Sequence, residues 1–268
     1  MTSELLELFK SIRRPSGKHD TYFPVYEELF SPYKGKNITF VEIGILGGGS
    51  LEVWKEFFGP KARVIGIDLN PAMRDELVAE GYEVHVGDQA DSGFWKRFYE
   101  EVGPIDVLLD DGGHTNTQMW ATLKSALPNV NDGGLIVVED THAAYQRKFG
   151  NPSRNSLIAR MAAVIDAMNY RSSAIDTRDR RARVPQHLSL LSGMNIESLV
   201  YSVQFFESIV ALRIDREKSV PSTSASFGSK KALRDGKIPE DFRHRGIRES
   251  VQDRIRGRIR GLLRRFGH

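Results

Sequence analysis

The feature that most constrains the fold is a regular alternation of predicted strands and helices between residues 38 and 140. Strands are predicted at residues 38–43, 63–68, 82–86, 105–110 and 135–139, with helices at 50–59, 71–80, 92–102 and 115–127. The strands are mostly continuous apolar runs, as a sheet buried on both faces requires. The pattern therefore predicts an α/β fold: a Rossmann-like, doubly wound parallel sheet with helices on both faces.

Beyond residue 140 the pattern changes. A helix is predicted at residues 155–169, and a polar, arginine-rich loop follows at 172–185. Two more strands, at 199–206 and 208–214, leave almost no room for a connection, which favours an antiparallel hairpin at the sheet edge. The prediction is a seven-stranded, mostly parallel sheet in a domain spanning residues 38–215.

A glycine-rich turn, which includes Gly44 and Gly47, lies between the first strand and the next helix, where Ser50 is a candidate cap. Glycine lets the backbone approach a ligand closely and adopt positive φ, although such a turn alone is a weak signal. Asp68 ends the second strand, 24 residues after Gly44. A carboxylate there can accept hydrogen bonds from both hydroxyls of a ribose, in NAD as well as in S-adenosylmethionine.

The residues around this turn favour S-adenosylmethionine over NAD. Gly44 and Gly47 are three residues apart, unlike the G-x-G-x-x-G spacing of NAD-binding turns. Glu42 precedes the turn, and its carboxylate repels a pyrophosphate but attracts a sulfonium and an amino group. Asp88 and Gln89 follow the third strand, where an adenine amino group is commonly held. A plain turn aspartate at position 88 is the alternative interpretation.

Acidic residues end the fourth and fifth strands. Asp110 and Asp111 follow one strand, and Glu139 and Asp140 follow the other. Carboxylates at adjacent strand ends repel one another, so we expect a cation between them. Oxygen ligands favour Mg²⁺, with Mn²⁺ or Ca²⁺ as alternatives, and the candidate ligands are Asp111, Glu139 and Asp140. The alternative is that these residues are helix caps and solvated turn residues.

Two histidines lie next to these carboxylates. His114 comes three residues after Asp111, and His142 comes two residues after Asp140. A metal lowers the pKa of a coordinated hydroxyl, and a neutral imidazole nearby can take its proton. His114 is the first candidate for such a base and His142 the second, against the alternative that both only make structural hydrogen bonds.

The runs FVEIGILGGGS, LDDGGHT and VVEDTH resemble class I S-adenosylmethionine-dependent methyltransferases. More narrowly, residues 15–145 are similar to metal-dependent sugar O-methyltransferases of macrolide biosynthesis and to cephalosporin-hydroxylase-like proteins. The resemblance implies Asp111, Glu139 and Asp140 as Mg²⁺ ligands and His114 as general base. It places Glu42, Gly44, Ser50, Asp68 and Asp88 around the methyl donor. Further candidates for contact with the donor are Gly47, Gln89 and Asp110.

The resemblance also implies that residues 1–37 cover the active site. Candidate acceptor contacts, from this segment and from the end of the fifth strand, are Lys18, His19, Tyr22, Tyr26, His142 and Tyr145. Macrolide enzymes carry a distinct N-terminal domain, whereas only about 37 residues precede the first strand here, which argues against a macrolide acceptor.

The predicted function is Mg²⁺-dependent transfer of a methyl group from S-adenosylmethionine to a hydroxyl of a saccharide or glycolipid, by a homo-oligomer. One alternative is a catechol-type or natural-product O-methyltransferase with the same donor and metal. A second is a non-catalytic module that binds S-adenosylmethionine, and a dehydrogenase comes third because of the turn spacing.

Residues 216–268 are predicted to form a linker and a basic amphipathic helix. The net charge of the chain is +3, yet residues 229–268 alone carry 13 Lys and Arg against 5 Asp and Glu. Such a helix can lie on an anionic membrane or dock on protein. Nucleic acid is not expected as a partner, because the tail has almost no aromatic residues to stack on bases.

Composition excludes several classes of site. With no cysteine, the chain has no disulfides, thiolate metal sites or cysteine nucleophiles. The first residues lack the apolar core of a secretory signal, and no run approaches the ~20 apolar residues of a membrane span. We therefore expect a cytoplasmic protein, with peripheral contact at the inner face of the membrane as the variant.

Overall fold

A computed structural model of the protein describes residues 3–149, 156–172, 191 and 193–221. Seven strands form one sheet: β1 (Thr39–Ile43), β2 (Arg63–Asp68), β3 (Glu83–Val86), β4 (Ile105–Asp110), β5 (Val130–Val138), β6 (Val200–Phe206) and β7 (Ile209–Ile214). Their order is β3-β2-β1-β4-β5-β7-β6. Strands β1 to β5 are parallel, whereas β7 runs antiparallel to both β5 and β6. The predicted sheet and its antiparallel edge are confirmed.

Helices in the described residues cover both faces of the sheet. They are α1 (Glu4–Lys10), α2 (Tyr22–Phe30), α3 (Gly49–Phe58), α4 (Arg74–Ala79), α5 (Ser92–Val102), α6 (Asn116–Ala126), α7 (Leu157–Tyr170) and α8 (Ile196–Leu199). One apolar core lies between the sheet and α5, α6 and α7. A second core lies on the other face, under α1, α2 and α3.

The strand order reverses between β1 and β4. Chain connections leave these two neighbouring strands in opposite directions, which opens a crevice at their carboxyl ends. In open parallel sheets this crevice is where ligands bind. The residues predicted to carry the chemistry follow β1, β4 and β5, so the topology brings them to one edge.

Strand β5 begins five residues earlier than predicted, at Val130. The first part of this strand was not predicted because residues 131–133 are polar or glycine, and they are exposed in the structure. The pairing with β4 also shifts register between Ile105 and Val107. The hydrophobic pattern predicts only the buried half of this strand, because the exposed half contains residues that are typical of turns.

The N-terminal helices pack on α3 through an aromatic cluster. The Trp54 ring lies 5.5 Å from Phe30, 5.6 Å from Tyr26 and 5.2 Å from Phe40, measured between ring centroids. Such pairs add stability beyond their buried area and fix ring positions. Helix α2 is therefore held rigidly, with the hydroxyls of Tyr22 and Tyr26 at the carboxyl edge of the sheet.

Two predicted elements lie outside the described residues: the body of the arginine-rich loop, from residue 173, and the basic tail from residue 222. Among the residues that the structure covers, no helix is long and apolar enough to cross a bilayer.

Candidate active site

The glycine turn is held by Asp68 and requires glycine at position 44. Gly44 has φ +84°, and an added Cβ would lie 2.0 Å from the carbonyl oxygen of Asp111. One carboxylate oxygen of Asp68 accepts the backbone N–H groups of Ile45 (3.1 Å) and Leu46 (3.2 Å). The other accepts that of Asn70 (2.8 Å). Each oxygen has two lone pairs, so acceptor capacity remains for a ligand.

A cavity of about 300 Å³ opens at the carboxyl ends of β1, β2 and β4. Four of the predicted donor-binding residues line it: Gly44, Asp68, Asp88 and Gln89. Asp111, Gly112 and Gly113 also line the cavity. Two further lining residues, Leu46 and Gln118, were not predicted from the sequence. The volume is at the lower end of the range for small-molecule sites.

Gln89 and Asp110 form a buried network beneath the cavity. The Gln89 side-chain amide donates to Asp110 (2.9 Å) and to Thr122 (3.0 Å), while its oxygen accepts the Gly113 N–H (2.8 Å). Asp110 also accepts the Gly112 N–H, and burial raises the pKa of this carboxyl group. Both residues therefore shape the turn after β4, and Asp110 itself does not line the cavity.

Three carboxylates surround the ammonium group of Lys18. Its Nζ lies 2.5 Å from Asp111 Oδ2, 3.1 Å from Glu42 Oε1 and 3.1 Å from Glu139 Oε1. The Lys18 side chain is 1% exposed, and those of Glu42 and Glu139 are 0% and 2% exposed. Lys18 was predicted to contact the acceptor, but in this structure it is the cation that the acidic strand ends require.

Charge pairing offsets the cost of burying these groups. Burial by itself would lower the pKa of Lys18, but the carboxylates of Glu139, Glu42 and Asp111 raise it well above its ordinary value. Burial raises the pKa of Glu42 and that of Glu139, and Lys18 opposes both shifts. Lys18 is therefore held in its charged form.

Glu42 and Glu139 each have a further hydroxyl partner. Ser50 Oγ donates to Glu42 Oε2 at 2.5 Å, and the Tyr26 hydroxyl donates to Glu139 Oε2. The cap of α3 is Gly48, so Ser50 does not act as the helix cap. Gly47 packs under Pro15, whose side chain lies 2.5 Å from the position of an added Cβ. Glu42, Gly47 and Ser50 therefore lie behind the cavity wall and do not line it.

A second group of side chains lies next to the lysine cluster. His114 Nε2 is 3.5 Å from Asp140 Oδ2 and 3.8 Å from Asp111 Oδ1. These three ligand atoms lie within 4.8 Å of one another. His114 and Asp140 both have φ +54°, a left-handed conformation that is uncommon outside glycine and often marks functional sites.

The donor set of this group fits a divalent ion. One carboxylate oxygen each from Asp111 and Asp140 lies within 4.8 Å of the other and of an imidazole nitrogen of His114, and carboxylates are the ligands that Mg²⁺ prefers. Glu139, predicted as a third ligand, lies outside the group because both of its oxygens are bonded to Lys18 and Tyr26. The sequence predicts that Asp111 and Asp140 lie close together, and the structure has them in one group. It does not indicate that the Glu139 carboxylate points towards Lys18 and Tyr26.

Three of the remaining predicted acceptor residues, Tyr22, His19 and His142, lie near Asp140. The Tyr22 hydroxyl donates to Asp140 Oδ1 at 2.6 Å, and His19 and His142 lie 3.9 Å from the same oxygen. Tyr145 is 68% exposed. An acceptor could reach His19, His142 and Tyr145, whereas Tyr22 is buried and 2% exposed.

The turn at Gly44 supports a stability prediction. Gly44→Ala is expected to cost more than Gly81→Ala, although both glycines have φ +84°, because only the added Cβ at position 44 meets backbone. The left-handed conformation alone costs about 1–2 kcal/mol in each variant, and the displaced Asp111 carbonyl adds about 1–3 kcal/mol in Gly44→Ala. Urea unfolding of both variants measures the difference, and equal losses would show that the turn relaxes freely.

Comparison with known proteins assigns the class of fold. Residues 41–141 match a family described as a methyltransferase domain. The MycE methyltransferase of the mycinamycin biosynthetic pathway, solved with Mg and SAH, superposes with a TM-score of 0.66 at 25% identity, over 87% of this chain and 59% of that one. The chain therefore carries a methyltransferase domain with the class I S-adenosylmethionine-dependent fold, as the resemblance implies.

Two curated O-methyltransferases are similar to this chain in sequence. Mycinamicin VI 2''-O-methyltransferase of Micromonospora griseorubida is 31% identical over 168 residues, 58% of this chain and 41% of that protein. The 8-demethyl-8-alpha-L-rhamnosyl tetracenomycin-C 2'-O-methyltransferase of Streptomyces olivaceus is 31% identical over 163 residues, 56% and 42% of the two chains. The chain is thus a homologue of sugar O-methyltransferases, and it spans about two fifths of the length of these relatives.

Proposed function

We propose that this protein transfers a methyl group from S-adenosylmethionine to a hydroxyl of a saccharide, with Mg²⁺ as a cofactor. The observation that carries the proposal is the position of Asp111. Asp111 lines the cavity at the switch point, and its carboxylate belongs to the group with His114 and Asp140. A donor in the cavity and an acceptor at that group would therefore be neighbours.

Donor binding is assigned to the cavity. Asp68 keeps one free lone pair, on Oδ1, for a ribose hydroxyl, and Asp88 is exposed at the cavity, where an adenine amino group can be held. The cavity is lined by the carboxylate residues Asp68, Asp88 and Asp111, which favours a sulfonium over a pyrophosphate. Bound S-adenosylmethionine supplies a methyl group whose bond to sulfur breaks as the acceptor oxygen bonds to the methyl carbon.

Asp111 and Asp140 would hold the metal. A bound Mg²⁺ supplies a Lewis acid that lowers the pKa of a coordinated hydroxyl. His114 Nε2 takes the proton of the acceptor hydroxyl, and Asp140, 3.5 Å away, stabilises the imidazolium that forms. Glu139 holds Lys18 and Tyr26 and so positions the end of β5.

The names of two relatives support a saccharide acceptor. They describe O-methyltransferases that act at the 2' and 3' positions of rhamnosyl tetracenomycins. A small-molecule phenol or catechol acceptor remains the enzyme alternative, and a panel of glycosides and catechols assayed with the same donor separates the two.

Calorimetry tests the donor and the metal together. We expect S-adenosylmethionine to bind the full chain with one site and NAD⁺ to show no heat of binding, because the cavity wall carries carboxylates where a pyrophosphate would lie. Asp111→Asn is expected to abolish a separate Mg²⁺ site and to weaken donor binding far less.

Glu139→Gln is the matched control for the metal. It changes a carboxylate of the neighbouring lysine cluster, so Mg²⁺ affinity should fall less than in Asp111→Asn. Binding of NAD⁺ instead of the donor would contradict the assignment of the cavity. Unchanged Mg²⁺ binding in Asp111→Asn would contradict the assignment of the metal ligands.

A further inference from the structure

The carboxylate of Asp140 faces two different groups of side chains. Its Oδ2 faces His114 and Asp111, the group assigned above to Mg²⁺. Its Oδ1 faces His19 Nε2 and His142 Nδ1, each at 3.9 Å. The ligand atoms of His19, Asp140 and His142 also lie within 4.8 Å of one another. The proposed methyl transfer uses only the first group and leaves the second without a role.

Separate elements of the chain supply this second group. His19 belongs to the segment between α1 and α2, whereas Asp140 and His142 follow β5 and are two residues apart. The two imidazole rings are 5.8 Å apart at 83°, so they meet edge to face and do not stack. Their ring nitrogens are therefore free to point at a common atom next to Oδ1.

The carboxylate is already oriented for such an atom. The Tyr22 hydroxyl donates a 2.6 Å hydrogen bond to Oδ1 and fixes its direction. Outer hydrogen bonds of this kind are typical of carboxylates that bind metal ions. The side chains of His19 and His142 are 61% and 40% exposed, so the rings can rotate at little cost.

We infer that His19, Asp140 and His142 form a second divalent-metal site. Tetrahedral Zn²⁺ at about 2.0–2.1 Å from each ligand atom needs those atoms about 3.3 Å apart, which requires each ring nitrogen to move about 0.6 Å towards Oδ1. Two imidazoles and one carboxylate suit a borderline ion such as Zn²⁺ or Co²⁺, whereas the Asp111 group, richer in oxygen, suits Mg²⁺.

This site goes beyond the proposed methyl transfer and has its own consequence. Three protein ligands leave a fourth position open to solvent, the arrangement of zinc sites that bind an exchangeable water or ligand. An ion there joins the segment that carries Lys18 and His19 to the end of β5. Asp140 then bridges the two ions through its two oxygens.

Cobalt titration of the full chain tests the inference. With excess Mg²⁺ present, we expect one Co²⁺ to bind with the visible absorption of a four-coordinate, imidazole-ligated ion. His19→Ala and His142→Ala should each weaken Co²⁺ binding at least about tenfold, because each removes one of three ligands. Circular dichroism should be unchanged, since neither side chain is buried.

Two further variants make the test specific. His85→Ala removes a histidine of β3 and should bind Co²⁺ as the native chain does. His114→Asn alters the Mg²⁺ group and should also keep the cobalt spectrum. The inference is overturned if His19→Ala and His142→Ala bind Co²⁺ like the native chain. It is equally overturned if His114→Asn alone loses the spectrum, or if Mg²⁺ displaces Co²⁺ one for one.

Discussion

Replacing Lys18 with methionine is expected to lower the free energy of unfolding by about 3–5 kcal/mol in metal-free buffer. The substitution keeps the length of the side chain and removes its charge. It leaves Glu42 and Glu139, both almost fully buried, and Asp111 without the cation that they share. Urea unfolding in the presence of a chelator measures the loss. This is a large fraction of the 5–15 kcal/mol that stabilises a typical domain.

Lys10→Met is the matched control for this prediction. Lys10 also pairs with a glutamate, Glu7 at 2.8 Å, but both side chains are more than half exposed. Exposed pairs of this kind contribute about 0–1 kcal/mol, so the control should unfold almost as the native chain does. Equal losses in the two variants would contradict a structural role for the Lys18 cluster.

The loss of unfolding free energy in Lys18→Met should also depend on pH, and it should grow as the pH rises. Burial raises the pKa of Glu42 and of Glu139 even while Lys18 is present. A carboxyl group with a raised pKa in the folded state contributes stability below its unfolded pKa of about 4.3 and loses it as pH rises through the folded value. Removing Lys18 raises both values further, so the deficit of Lys18→Met should be larger at about pH 7.5 than at about pH 5.5.

Replacing His114 with asparagine is expected to lower kcat for methyl transfer by about 10²–10⁴-fold. Asparagine tolerates the left-handed backbone at this position (φ +54°) but cannot act as a base. Donor affinity should change little, since His114 does not line the cavity. Initial rates of glycoside methylation measure kcat, and calorimetry measures the affinity for the donor.

His85→Ala serves as the control for a general effect of losing an imidazole. His85 lies on β3 beside Glu83, and its replacement should leave kcat within the scatter of the assay. Near-normal turnover in His114→Asn would show that another group takes the proton, and His142 is then the next candidate. A loss of donor binding in step with kcat would instead point to a disturbed turn after β4.

Local sequence signals explain why much of the sheet and of the glycine turn was predictable. The donor turn and strands β2 to β4 lie in the part of the chain that matches the methyltransferase domain, residues 41–141. Within this part the signals are local: buried strands, a glycine-rich turn and an acidic residue at the next strand end. Such features depend on neighbours in sequence and on strand topology, and both can be read without coordinates.

The N-terminal segment was the least predictable part of the site. The sequence predicted Lys18, Tyr22 and Tyr26 as contacts for an acceptor. In the structure Lys18 and Tyr26 are buried against Glu139, and Tyr22 bonds to Asp140. The need for a cation among acidic strand ends was visible in the sequence. Nothing local indicates that a lysine 24 residues before Glu42 supplies it.

By itself, then, the sequence determined the sheet, the direction of its strands and the edge at which the chemistry collects, because hydrophobic period and strand-end residues specify these locally. Only the tertiary structure decided which carboxylates meet which cation. Both oxygens of Glu139 are bonded to Lys18 and Tyr26, whereas Asp111 contacts Lys18 with one oxygen and lies near His114 with the other. The contacts of Lys18 with Glu42, Asp111 and Glu139 join residues 24 to 121 positions apart in the chain. Their energies depend on burial, which arises only when the chain has folded.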